Sequence, residues 1–173
     1  ILIPGLVNAH CHLEFSALRG RIPSTHSFTE WVLQLLMFNY ELSPEERKRG
    51  IEEGIWELVK GGTTTLANHQ SPSIESITTP FRERIFLEIG GPTVARAREN
   101  VRQAEEVIAR DQGERCVISP HSLYSVPEPV LRELFDRSTD EVPLSFHLLE
   151  NDEEDDFFRK KTGCLYELLD ERG

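Results

Sequence analysis

His10 and His12 stand on either side of Cys11, and they are the side chains of this sequence whose type and spacing point most directly to chemistry. Pro4-Gly5 reads as a turn, and Leu6-Val7-Asn8-Ala9 reads as a buried strand that carries both imidazoles at its far end. Strand side chains alternate faces, so His10 and His12 point one way and Cys11 the other, against a covering helix. Two neutral imidazoles one strand repeat apart make half of a metal site. Two unrelated histidines at a strand end would look the same, so the rest of the chain has to decide.

The elements that would position such a site alternate regularly between strand and helix. After the first strand, residues 28–40 have helical spacing at Trp31, Leu35 and Phe38 and read as an insertion. A second helix opens at Ser43-Pro44-Glu45-Glu46, where Ser43 caps, Pro44 suits the first turn and Glu46 completes a capping box. It runs to Lys60 and stops at Gly61-Gly62. Strands follow at 63–68, 84–89, 116–119 and 143–148, with helices at 93–109, 127–137 and 157–172. The helix at 127 reads as capped through Ser125. Five βα units in sequence imply a parallel sheet with helices outside.

On that frame, His10 and His12 end strand one, His69 ends strand two, His121 follows strand four, and His147 with Glu150 ends strand five. Five of six histidines therefore gather at the carboxyl ends of parallel strands, where parallel barrels carry their active sites. His26 alone lies elsewhere, in a loop. A single barrel mouth accounts for the other five better than five separate structural roles do.

Composition bounds the function classes. The chain has 173 residues, enough for one well-packed domain, with 38% hydrophobic residues and a formal charge of -11. The acidic balance excludes a nucleic-acid backbone as partner, and no apolar run is long enough to span a membrane. Cys11, Cys116 and Cys164 are odd in number and widely spaced, so they form no disulfide framework, and a reducing, cytoplasmic setting is expected. Homo-oligomerisation is left open.

Four segments, PGLVNAHCHLE, GTTTLAN, SPHSLYSV and HLLE, occur in the order and spacing that resemble the amidohydrolase superfamily of metal-dependent hydrolases. The resemblance is strongest to its cytosine-deaminase-like and triazine-hydrolase-like branch. HCHLEFSALRGRIP is most similar to the aminofutalosine and adenosylhomocysteine type deaminases. The resemblance implies an α/β fold, a TIM (β/α)8 barrel, of which residues 1–173 hold about the first five βα units. The flanking small β domain and strands six to eight are expected outside this sequence, and with them a strand-six histidine and a strand-eight aspartate.

Roles carry over with the motifs. The resemblance makes His10, His12 and His147 the ligands of one divalent metal, zinc first and iron or manganese as alternatives. Glu150 becomes the catalytic proton shuttle, and His121 a substrate-binding residue. Such a metal lowers the pKa of a bound water towards neutrality, giving a hydroxide that attacks a ring carbon bearing an amino group. Two-metal relatives use a lysine at the end of strand four. Here Lys48, Lys60, Lys160 and Lys161 all fall in helices, which favours one metal.

The activity this implies is hydrolysis of carbon-nitrogen bonds other than peptide bonds, with deamination of an aminopurine-type N-heterocycle foremost. The alternatives are a truncated, catalytically incomplete fragment and a dechlorinating or other cyclic amidine hydrolase. The remaining polar residues have plainer readings. Glu14 is expected to cap or to form an ion pair, and His69 is kept out of the metal set. Glu88 points inward and needs a partner, the run 152–156 is a solvated acidic helix start, and Phe28 and Trp31 pack on the barrel.

Overall fold

The computed structural model describes residues 2–74 and 77–170. Four parallel strands, β1 (Leu6–Cys11), β2 (Thr63–Gln70), β3 (Arg82–Ile89) and β4 (Cys116–Pro120), lie side by side in chain order. Between and after them run α1 (Phe28–Glu41), α2 (Pro44–Lys60), α3 (Val94–Arg110), α4 (Glu128–Asp136), α5 (Asp152–Lys160) and α6 (Cys164–Asp170). The result is an open parallel sheet of four strands with helices in the connections, and a short 3₁₀ segment, Leu13–Leu18, is inserted after β1.

Local chemistry sets the helix ends. Ser43 accepts from the Glu46 N–H while the Glu46 carboxylate accepts from the Ser43 N–H, a closed capping box with Pro44 behind it. Thr93 caps α3 through the Arg96 N–H. Two apolar clusters hold the layers together. Ile85, Leu87 and Ile89 of β3 pack with Ala97, Val101 and Ala104 of α3 and with Val130 and Leu134 of α4. Leu66 of β2 packs with Leu13 and with Ile51 of α2, and Cys11 joins this cluster on the face opposite the histidines.

Five expectations need correction. Strand one is not buried: Leu6 and Val7 are exposed, because β1 is an outer strand paired only with β2 among the described residues. Residues 143–148 form no strand ladder. They run extended beside β4, joined to it by the single Ser122–His147 bridge and by Ser119, whose hydroxyl accepts from the Ser145 N–H at 2.8 Å and donates to the Ser145 carbonyl. A side-chain hydroxyl thus stands where ladder hydrogen bonds were expected.

The last helix is two. Lys161 takes a left-handed φ of 52° and closes α5 before α6 begins; residues 171–172 of the expected helix lie outside the described residues. Ser125 does not cap α4, whose N-cap is Pro127, because its hydroxyl is committed to His121 and Ser122. The acidic start of α5 is also less solvated than expected. Glu153 accepts from the N–H groups of Phe28 and Thr29 at the head of α1, and Glu154 is fully buried. No described helix is long and apolar enough to cross a membrane.

Candidate metal centre

β1 delivers His10 and His12 to the carboxyl end of the sheet, where Asn8 accepts from the His10 N–H at 3.2 Å. Asn68 of β2 accepts from the Leu13 N–H at 3.2 Å and fixes the chain as it leaves His12. The extended 143–148 segment brings His147 to the same place. His147 donates its backbone N–H to the His121 carbonyl at 2.8 Å, and its Nδ1 lies 2.9 Å from that same oxygen. Three ring nitrogens then converge: His10 Nε2 is 3.1 Å from His12 Nε2, which is 3.4 Å from His147 Nε2.

Two nitrogens each about 2.05 Å from one tetrahedral ion would be about 3.3 Å apart, so these spacings fit imidazoles that share a divalent cation. Electrostatics keep the donors ready. Burial lowers His10, with the His147 charge acting in the same direction. Burial, then the neighbouring imidazoles, brings His12 down to about 3. Neutral rings have a lone pair to give.

Around the trio, His69 is fully buried at the end of β2. Its ring stacks on His10 at 3.7 Å between centroids and on Phe86 at 4.7 Å, with Nε2 2.8 Å from the Ser145 hydroxyl. It therefore wedges His10 into place instead of pointing to the convergence. Glu88, at the end of β3, turns inward, and among the described residues His10, His12, Glu88 and His147 offer ligand atoms that all lie within 4.8 Å of one another. Burial, then the Glu14 and Glu150 charges, pushes the Glu88 carboxyl up to about 8. Glu14 is buried as well and accepts from the Ser71 N–H at 3.2 Å, and burial raises it to about 7. A buried carboxyl that accepts from a backbone N–H thus takes the place of the cap or ion pair expected of Glu14 from sequence.

His121 and Glu150 sit beside this cluster. His121 Nδ1 is 2.9 Å from the Ser125 hydroxyl and 3.2 Å from the Ser122 hydroxyl, and burial lowers its pKa to about 4. Glu150 follows Leu149, which holds a left-handed φ of 56° that turns the chain back to the mouth. Tyr124 donates its hydroxyl to Glu150 Oε2 at 3.0 Å, and the Glu150 N–H donates to Glu154 Oε2 at 2.7 Å. Sequence reasoning missed Tyr124, although it is the tyrosine of the SPHSLYSV segment. These groups open on a cavity of about 950 Å³ that also touches Phe15, Phe28, Trp31 and Leu35. Phe28 and Trp31 thus wall the cavity, beyond the barrel packing expected of them.

The family model described as the Amidohydrolase family matches residues 1–171. The chain belongs to this family. Its amidohydrolase relatives include 5-methylthioadenosine/S-adenosylhomocysteine deaminase 1 of Syntrophus aciditrophicus, 29% identical over 99% of this chain and 43% of that protein. The 5-methylthioadenosine/S-adenosylhomocysteine deaminase of Natronomonas pharaonis is 28% identical over 100% of this chain and 43% of its own length. Among solved structures, an adenosine deaminase from Xanthomonas campestris with bound zinc superposes with a TM-score of 0.68 at 21% identity, over 98% of this chain and 42% of that one. The likeness to that structure carries the partial-barrel fold. This amidohydrolase chain spans about 43% of the length of the Syntrophus and Natronomonas proteins.

Proposed function

We propose that residues 1–173 are the metal-binding part of a hydrolytic deaminase acting on an aminopurine-type N-heterocycle, with 5-methylthioadenosine and S-adenosylhomocysteine as first candidates from the relatives' names. The observation that carries the reading is the convergence of three imidazole Nε2 atoms at 3.1 and 3.4 Å on the mouth of a parallel sheet. His10, His12 and His147 would hold one divalent ion, zinc by analogy with the superposed structure. When bound, the ion supplies a Lewis acid that brings the pKa of a coordinated water towards neutrality.

The chain's own groups do the rest. Glu150 takes a proton from the attacking water and returns it to the departing amino nitrogen, so that ammonia leaves. Tyr124 and the Glu150 N–H on Glu154 keep that carboxylate at the cavity rim. His121, with Nδ1 engaged by Ser125, turns Nε2 to the bound ring. Phe28 and Trp31 give the ring an apolar wall that excludes water. Cytoplasmic residence belongs to the same reading, supported by free thiols at Cys11, Cys116 and Cys164.

The test is ammonia release by the zinc-loaded full-length protein from a panel of 5-methylthioadenosine, S-adenosylhomocysteine, adenosine and other aminopurine nucleosides. At least one should be turned over, and chelation should abolish it. A fully loaded protein that is silent on the whole panel would contradict the deaminase reading.

A further inference from the structure

Glu88 ends β3, in register with Ser119 of β4, and its side chain is only 8% exposed. Its Oε2 lies 3.7 Å from His12 Nδ1 and its Oε1 lies 3.6 Å from His147 Nδ1. Among the described residues, neither Glu88 Oε1 nor His12 Nδ1 has a hydrogen-bond partner, and both atoms are buried. The unpaired His12 Nδ1 is turned to the Glu88 Oε2, and the unpaired Glu88 Oε1 to the His147 Nδ1, each across a gap slightly beyond hydrogen-bonding distance.

The tautomer of His12 decides what that gap means. A neutral imidazole donates from one nitrogen and offers a lone pair on the other. His12 Nε2 faces His10 Nε2 and His147 Nε2, so its proton belongs on Nδ1, the nitrogen aimed at Glu88. Histidines that bind metals characteristically donate their other N–H to a carboxylate or a carbonyl, which fixes ring orientation and raises ligand basicity. His147 already has its carbonyl, from His121 at 2.9 Å. His12 has none.

We propose that Glu88 is a positioning residue of the metal centre, its carboxylate accepting the Nδ1–H of His12 and steadying His147 from the same side. The proposal rests on the metal-centre reading above. Direct ligation by Glu88 is disfavoured by the same geometry. Its oxygens approach the Nδ1 edges of His12 and His147, whereas the nitrogens that converge are Nε2.

The experiment is chelator-competition measurement of zinc affinity, with far-UV circular dichroism, for wild type, Glu88→Gln, Glu88→Ala, His12→Ala and the His12→Ala/Glu88→Ala double variant. Glu88→Ala should weaken zinc binding about 10–100-fold. Glu88→Gln keeps an amide oxygen that can accept from His12 and should lose about tenfold or less. In the His12→Ala background, adding Glu88→Ala should cost markedly less than it does alone.

Cobalt-substituted wild type and Glu88→Gln should share the same visible absorption bands. A changed band pattern would make Glu88 a ligand and overturn the positioning role. Wild-type affinity in both Glu88 variants, or full additivity in the cycle, would overturn it too. If Glu88→Ala does not fold, Glu88→Gln carries the test, and unchanged affinity in it counts against the role. Wild-type protein that binds no zinc would overturn the metal centre itself, and that result is distinct from a loaded wild type with indifferent Glu88 variants.

Discussion

At the scale of residues, the proposed site divides labour between imidazoles that would hold a metal and a carboxylate that would move protons. Glu150→Gln removes the shuttle but leaves the three imidazoles, so it should keep bound metal and lose about 10²–10⁴-fold in kcat, read by metal analysis beside ammonia release. Equal loss of metal would count against the shuttle role. Tyr124→Phe removes one hydrogen bond to that carboxylate. It should lower kcat about tenfold, with KM for substrate and zinc content nearly unchanged. That His10 and His12 lie side by side was legible from spacing alone, and that His147, Glu150 and His121 lie at the same mouth from the motifs around them. Glu88 was legible only as an inward carboxylate in search of a partner, because its partner is seventy-six residues upstream in the sequence and only folding brings them together.

At the scale of elements, the helix caps and turns were legible because they are local: Ser43, Pro44, Glu46 and Gly61 set α2 without help from the rest of the chain. The 143–148 segment was not, because its alternation of apolar Leu144, Phe146 and Leu148 with Ser145 and His147 is strand-like while its hydrogen bonds go to the Ser119 side chain. Ser119→Ala should therefore destabilise the protein by about 1–3 kcal/mol in urea unfolding, by leaving the half-buried Ser145 N–H unpaired, and should weaken zinc binding through His147. Unchanged stability would mean that the segment finds its register by other means.

Gly50 makes a second test at this scale. Alanine is ordinarily better than glycine within a helix by about 1 kcal/mol. A Cβ on Gly50, however, would lie 2.4 Å from the Ala17 backbone, where α2 crosses the 3₁₀ segment that follows His12. Overpacking against backbone costs about 1–3 kcal/mol and wins. Gly50→Ala should lower the urea midpoint; a raised midpoint would show that the segment yields.

At the scale of the whole molecule, acid stability and the open edge of the sheet matter most. Burial pushes Asp111 upward, but the N–H groups of Arg115 and Cys116 and the Arg115 guanidinium outweigh it and hold the carboxyl below the usual aspartate range. A depressed folded pKa contributes stability above the unfolded value of about 3.9, lost as pH falls through the lower folded value. Asp111→Asn should thus cost stability at pH 7 and show a shallower loss between pH 4 and pH 2, measured by urea unfolding across that range. Equal acid slopes would assign the loss to other carboxylates.

The β1 edge exposes Leu6 and Val7, and an apolar strand edge without a partner among the described residues invites pairing with other chains. The 173-residue chain should self-associate in light scattering, and Leu6→Lys with Val7→Lys should reduce it. The parallel sheet with helices outside was legible from the alternation of β1 to β4 with their helices, and the barrel only from the motifs' resemblance to a family, whereas the exposure of β1 depends on what pairs with it and has no local signature.

The central claim, that His10, His12 and His147 share one divalent ion, is tested most directly by zinc stoichiometry and affinity. The account predicts one zinc per chain in the wild type, and for His12→Ala or His147→Ala a loss of affinity beyond the roughly 10–100-fold that an outer partner is worth. A wild-type chain that takes up no zinc, or a triple His10, His12, His147 to Ala variant that binds zinc like the wild type, would contradict it.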